Sequence, residues 1–211
     1  MDKAFEALKT SGAAAAEPLL RQALDVAGET QEYRAMSIFN LGLVTYDLKR
    51  PAETETCFLG AIETIQELLP KQNELYGMFL KTLIEFYEKE NRFADCKKYY
   101  LLEIDLTREM YGGQHPYVAN IICEYCDVLI KLGEYAIAEK SLSRALNIMS
   151  NARGVDHIQN GPIHANLAKC YVALERKEDA EYHQDRADEM EARAEKNMSK
   201  DAAQVYVEGE L

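Results

Sequence analysis

A self-similarity of 42 residues constrains this chain more than any other feature, because such units fold by stacking on one another. Shifted forward by 42, the segment Gly133 to Leu146 meets Glu175, Lys177, Ala180, Glu181 and Ala187. Shifted back by 42 it meets Asn91, Phe93, Cys96 and Tyr100. Shifted back by 84 it meets Pro51, Glu55, Phe58, Ala61 and Ile62. A further copy, Ala16 to Leu24, lies 122 residues back and therefore four residues out of period. The shared columns alternate small and large residues at helical spacing. Thr54, Cys96, Ala138 and Ala180 form one column; Phe58, Tyr100, Leu142 and Gln184 form another; Ala61, Glu103, Ala145 and Ala187 form a third. The segment upstream has columns of its own, Leu41, Leu83, Tyr125 and Leu167 followed by Gly42, Ile84, Cys126 and Ala168. Small residues in register let two helices approach and large ones fill the opposite groove. Each unit is thus predicted to be a helical hairpin that buries its apolar stripe only by stacking on its neighbours.

Composition agrees with an all-helical globular chain. Of its 211 residues 47% are hydrophobic and 28% charged, and only five prolines and eleven glycines interrupt it. The net charge of -12 argues against a sequence-blind nucleic-acid binder, which needs a basic face. No apolar run of about 18 residues is present, so no membrane span is expected. Met1 to Glu6 carries no signal-peptide stretch. The five cysteines Cys57, Cys96, Cys123, Cys126 and Cys170 are an odd number set inside helical patterns, and a reducing, cytoplasmic compartment is expected.

Leu167-Ala168, a turn residue, the aromatic Tyr135, Ala138 and Ala145 together resemble the tetratricopeptide-repeat (TPR) pattern. The period exceeds the usual length of about 34. It is similar to that of kinesin-light-chain repeats, in which Gly-x-x-His-Pro precedes the first helix of a unit. Gly112-Gly113-Gln114-His115-Pro116 matches that signature, and Gly154-Val155-Asp156-His157 repeats it in register without the proline. The resemblance covers roughly residues 10 to 190 and concerns the repeat type alone. It implies an all-α solenoid of antiparallel hairpins, a right-handed superhelix with a concave groove. A single domain is expected over residues 1–200, with a partial repeat at 3–27 (helices Lys3–Lys9 and Ala14–Ala27). Full repeats are expected at about 31–69, 73–110, 116–150 and 162–195, followed by a disordered tail at 201–211.

No catalytic motif emerges: there is no Ser-His-Asp order, phosphate-binding glycine loop or HExxH. A non-catalytic chain with no cofactor and no metal is expected. Cys123-x-x-Cys126 lacks two further ligands nearby, and Cys126 falls in a small-residue column, so packing is the expected role. His115 and His157 recur at equivalent positions and are predicted to bond the free N–H groups of the following helix. His164 and His183 show no partner pattern in the sequence.

The resemblance implies that the first helix of each hairpin lines the groove. By column this gives Met36, Phe39, Asn40, Leu43 and Tyr46 in repeat one, and Met78, Lys81, Thr82, Glu85 and Lys89 in repeat two. Repeat three gives Asn120, Cys123, Glu124, Asp127 and Lys131, and repeat four gives Ala165, Asn166, Lys169 and Ala173. Met36, Phe39, Leu43 and Tyr46 suit an apolar anchor, and Lys81, Lys89, Lys131 and Lys169 suit acidic residues of a partner. The alternative is a solvated face on which the lysines pair with Glu85, Glu88 and Asp127. A clamp for a chaperone's C-terminal carboxylate is disfavoured, because Phe39, Leu43, Glu85 and Glu124 occupy its columns. Three functional readings follow: a scaffold binding a partner peptide or helix in the groove, an assembly subunit docking through its convex face or terminal helix, and a peptide-responsive sensor. The partner is a protein or peptide in each, with oligomeric state left open.

Overall fold

The computed structural model describes residues 12–25, 30–66 and 74–208, with side chains described as far as residue 197. Its helices are α1 (Ala13–Asp25), α2 (Gln31–Asp47), α3 (Pro51–Gln66), α4 (Glu74–Lys89), α5 (Phe93–Tyr111), α6 (Pro116–Lys131), α7 (Tyr135–Arg153), α8 (Gly161–Ala173) and α9 (Lys177–Glu208). A 3-10 turn, Ile158–Asn160, leads into α8. Among the described residues there is no strand. The chain divides into two compact units, Met1–Arg92 and Phe93–Leu211. The expected helix at 3–9 lies outside the described residues. The last helix is described as far as Glu208.

One turn recurs at the end of α2, α4, α6 and α8. Lys49, Asn91, Gly133 and Glu175, spaced by 42, all have positive φ, between 57° and 76°. Each donates its N–H three residues back, to Tyr46, Glu88, Ile130 and Val172. The next residue donates five back: Arg50 to Thr45, Arg92 to Tyr87, Glu134 to Leu129 and Arg176 to Tyr171. This is the Schellman termination, which satisfies carbonyls a helix end leaves unpaired. Glycine takes the left-handed conformation without strain and asparagine with little; Lys49 and Glu175 take it at a cost.

In the first unit α1 and α2 meet through Ala16, Leu20, Leu41 and Val44. Gly42 lets α3 close in: a Cβ there would stand 2.6 Å from the buried Phe58 ring. The core is aromatic. Phe39 stacks on Phe79 at 4.3 Å and tilts against Phe58 at 5.4 Å, and Phe58 meets Phe86 edge-on at 5.9 Å. In the second unit Ala138, Leu142 and Ala145 on α7 are fully buried, as are Val118, Ile121, Cys126 and Leu129 on α6. Leu167 and Ala168 on α8 and Ala187 and Met190 on α9 continue that core. Burying a side chain such as Leu142 contributes about 2 kcal/mol. The small-residue columns read from the repeat are therefore buried columns. Gln184 breaks its column: it is exposed, and its amide donates to Asp188 at 2.7 Å.

Candidate functional site

Two histidines cap as predicted. The Nδ1 of His115 accepts from the Tyr117 N–H at 3.2 Å, and the Nδ1 of His157 accepts from the Gln159 N–H at 3.2 Å. Both hold the N-terminal entry of a first helix, α6 directly and α8 through the 3-10 turn.

Among the groove residues of the first unit, Phe39 is a correction. It is 5% exposed and locked between Phe58 and Phe79, because its helix turns that face inward to the aromatic core. Its ring is packed in the core rather than presented on the surface. Met36 and Asn40 are half-buried. Leu43 and Met78 are 37% and 43% exposed, unusual for large apolar side chains. The half-buried Tyr46 lies edge-on to Phe86 at 6.1 Å, with the ammonium groups of Lys49 and Lys89 at 5.5 and 5.4 Å from its ring centre. Lys81 and Glu85 are exposed on α4, and Lys81 has no ion pair among the described residues.

In the second unit Lys131 is exposed and sits over the Phe93 ring at 4.6 Å. Asn120 is exposed. Asn166 is a second correction: at 8% exposed it is inward-facing, donating its amide to Asp127 at 2.7 Å and accepting from the Lys169 ammonium at 2.9 Å. A buried amide needs such partners, so its carbonyl and amide are committed within the fold. Among the described residues none of Lys81, Lys89, Lys131 and Lys169 makes an ion pair with a carboxylate; Lys89 and Lys131 lie over aromatic rings and Lys169 donates to Asn166.

The cysteines pack. The Cys126 thiol is buried 3.7 Å from the Ala138 carbonyl, and burial pushes the Cys123 thiol up to about 12 and that of Cys170 to about 11. No group of three or more metal-ligating side chains occurs among the described residues.

Two features escaped the sequence reading. The first is a histidine pair between α8 and α9, with the Nδ1 atoms of His164 and His183 2.7 Å apart. One ring donates its Nδ1–H and the other accepts with its Nδ1 lone pair, so the two rings are held in opposite tautomers. Tyr171 stacks on His183 at 5.2 Å. Burial, with repulsion from His183 and Arg186, brings His164 down to about 4, and burial lowers His183 against the pull of Asp179.

The second is a ladder of polar rungs joining each second helix to the next hairpin. Glu17 accepts from Arg50 at 3.1 Å. Glu55 accepts from both guanidinium nitrogens of Arg92, at 2.6 and 2.8 Å, and from the Tyr87 hydroxyl at 2.9 Å. Glu139 accepts from the Tyr171 hydroxyl at 3.1 Å and from Arg176 at 3.5 Å. Between these the charges are exchanged, with Lys97 donating to both oxygens of Glu134 at 2.7 Å. Arg50, Arg92, Glu134 and Arg176 are the same residue of the Schellman turn, which is why all four reach back to the preceding helix. Only side-by-side reading of positions 55, 97 and 139 with 92, 134 and 176 could have found them.

Residues 117–190 match the model of the tetratricopeptide repeat family. No curated protein sequence matches the chain. Among solved structures it is similar to BtubC (BKLC) from P. vanneervenii, with TM-score 0.67 and 19% identity over 91% of this chain and 78% of that one. It is also similar to a kinesin-light-chain-like protein of Podosopora anserina built of nearly identical TPR-like repeats, with TM-score 0.70 and 13% identity over 92% and 93%. MamA aligns with TM-score 0.58 and 15% identity over 93% and 98%. At these identities the likeness is one of fold. With the repeat columns buried and the Schellman turn recurring at each period, the chain has an all-α fold of stacked helical hairpins similar to kinesin-light-chain repeats, and its third and fourth hairpins match the tetratricopeptide repeat family.

Proposed function

We propose that the chain is a non-catalytic scaffold that holds a segment of a partner protein against the first helices of its hairpins. The observation that carries the reading is the surface of α2 and α4. Leu43 and Met78 are exposed there, and Tyr46 carries two ammonium groups over its ring that meet no carboxylate among the described residues. An apolar side chain of the partner gains by covering Leu43 or Met78, and its acidic residues gain from Lys81 and Lys89 in a chain of net charge -12. On the second unit Lys131 and Lys169 offer the same charge, each held by a neighbour (Phe93 and Asn166) that orients it without cancelling it. The partner segment is extended or helical, acidic, and carries one bulky apolar residue. The TPR fold supports a protein as the ligand, since stacked hairpins present long continuous surfaces.

The test is retention of proteins from native lysate by the wild type and by a Lys81→Glu/Lys131→Glu variant of unchanged helical content and melting. Selective loss of a partner from the variant is the expected result. An identical set retained by both sinks the proposed role of the lysines.

A further inference from the structure

The polar ladder has a fifth position. Glu55, Lys97 and Glu139 are the fifth residues of α3, α5 and α7, and Glu181 is the fifth residue of α9. The first three each meet the Schellman residue of the next hairpin. Glu181 is exposed and has no hydrogen-bond or ion-pair partner among the described residues. The apolar surroundings follow the same pattern. Val172 is 68% exposed, whereas Ile130, 42 residues earlier, is half-buried. An open groove of about 640 Å³ is lined by Val172, Ala180, Glu181 and Gln184, with Ile130 and Lys169 beside them. The chain's own course does not return over this face within the described residues. The column that holds Gly112 and Gly154, both at positive φ, reaches Lys196, and α9 continues through it as helix to Glu208.

We propose that this face docks a helix of a partner protein that carries a tyrosine near its C-terminal end and an arginine five residues further on. Within this chain that combination twice occupies the corresponding face. Tyr87 and Arg92 meet Glu55, and Tyr171 and Arg176 meet Glu139, with the guanidinium stacked on the tyrosine ring at 4.7 and 4.4 Å. Arginine is the complement because its planar fork pairs with a carboxylate and stacks on an aromatic ring at once. Two copies of this chain meeting face to face would oppose Glu181 to Glu181 and repel. The arginine pairs with Glu181, and the helix covers Val172 and Ala180. Lys169 also lines this groove, whereas Lys81 and Lys131 do not, so Lys81→Glu/Lys131→Glu leaves its lining intact.

The probe is a labelled peptide of residues 161–177, cross-linked between positions 169 and 173, which are exposed in α8, and shown to be helical by circular dichroism. It presents Tyr171 and Arg176 to the intact protein in a fluorescence-anisotropy titration. Saturable binding is expected, weakened about tenfold or more by Glu181→Lys in the protein. A peptide carrying Arg176→Glu should recover affinity for that variant. Glu181 is exposed and unpaired, so the variant should melt like the wild type. Failure of the helical peptide to bind, or equal binding to wild type and Glu181→Lys, overturns the proposal.

Discussion

His164 and His183 show how a single buried contact ties stability to pH. The folded state holds His164 neutral down to about 4, whereas in the unfolded chain it titrates near its ordinary 6.5. Between those values the unfolded chain binds a proton that the folded chain refuses, so stability is full above 6.5 and falls as pH drops towards 4. The loss attributable to this ring should reach about 2 kcal/mol at pH 4.5. Urea unfolding of the wild type and His164→Asn measures it: the advantage of the wild type should shrink from pH 7.5 to pH 4.5, and a constant difference refutes it. Also at the scale of one residue, Lys49 and Glu175 occupy left-handed turns that Gly133 occupies without strain. Replacing both with glycine should stabilise by roughly 0.5 kcal/mol each, the relief of strain exceeding the added unfolded-state entropy. Thermal melting should rise by about 2–4 °C for the pair, and a fall would show that their side chains contribute more than their backbone costs.

At the scale of elements, the ladder and the Schellman turn are one device. The turn fixes the residue before each second helix, and that residue grips the helix before it. The exchanged rung, Lys97 with Glu134, breaks the uniformity of the other three, so a misregistered stack would bring like charges together. Lys97→Glu alone, facing Glu134, should cost about 1 kcal/mol after allowance for solvent, since both groups are about a third exposed. Glu134→Arg alone, facing Lys97, should cost a similar amount. The double variant restores an ion pair in the majority polarity and should recover most of that loss. A double-mutant cycle with coupling near zero would show the rung to be geometric only. The first helices were legible because their small and large columns have a helical period. The rungs were not, because a salt bridge 37 residues apart leaves no local pattern, and its exchanged copy hides the repeat of charge.

At the scale of the whole molecule, the sequence by itself determined the all-helical hairpins and the buried columns. Period, small-residue register and turn residues all act locally, and stacking is what such units require. It also determined the histidine caps, since His115 and His157 sit beside the N–H groups they bond. Which groove residues face outward was decided only by tertiary packing. Phe39 and Asn166 share helix columns with exposed neighbours, yet the aromatic core claims one and the Asp127–Lys169 contacts claim the other. Periodicity assigns a residue to a face; whether that face meets solvent depends on what the next hairpin brings against it. The same dependence leaves Glu181 and Val172 open where Glu139 and Ile130 are covered, because burial is a property of neighbours and not of the residue.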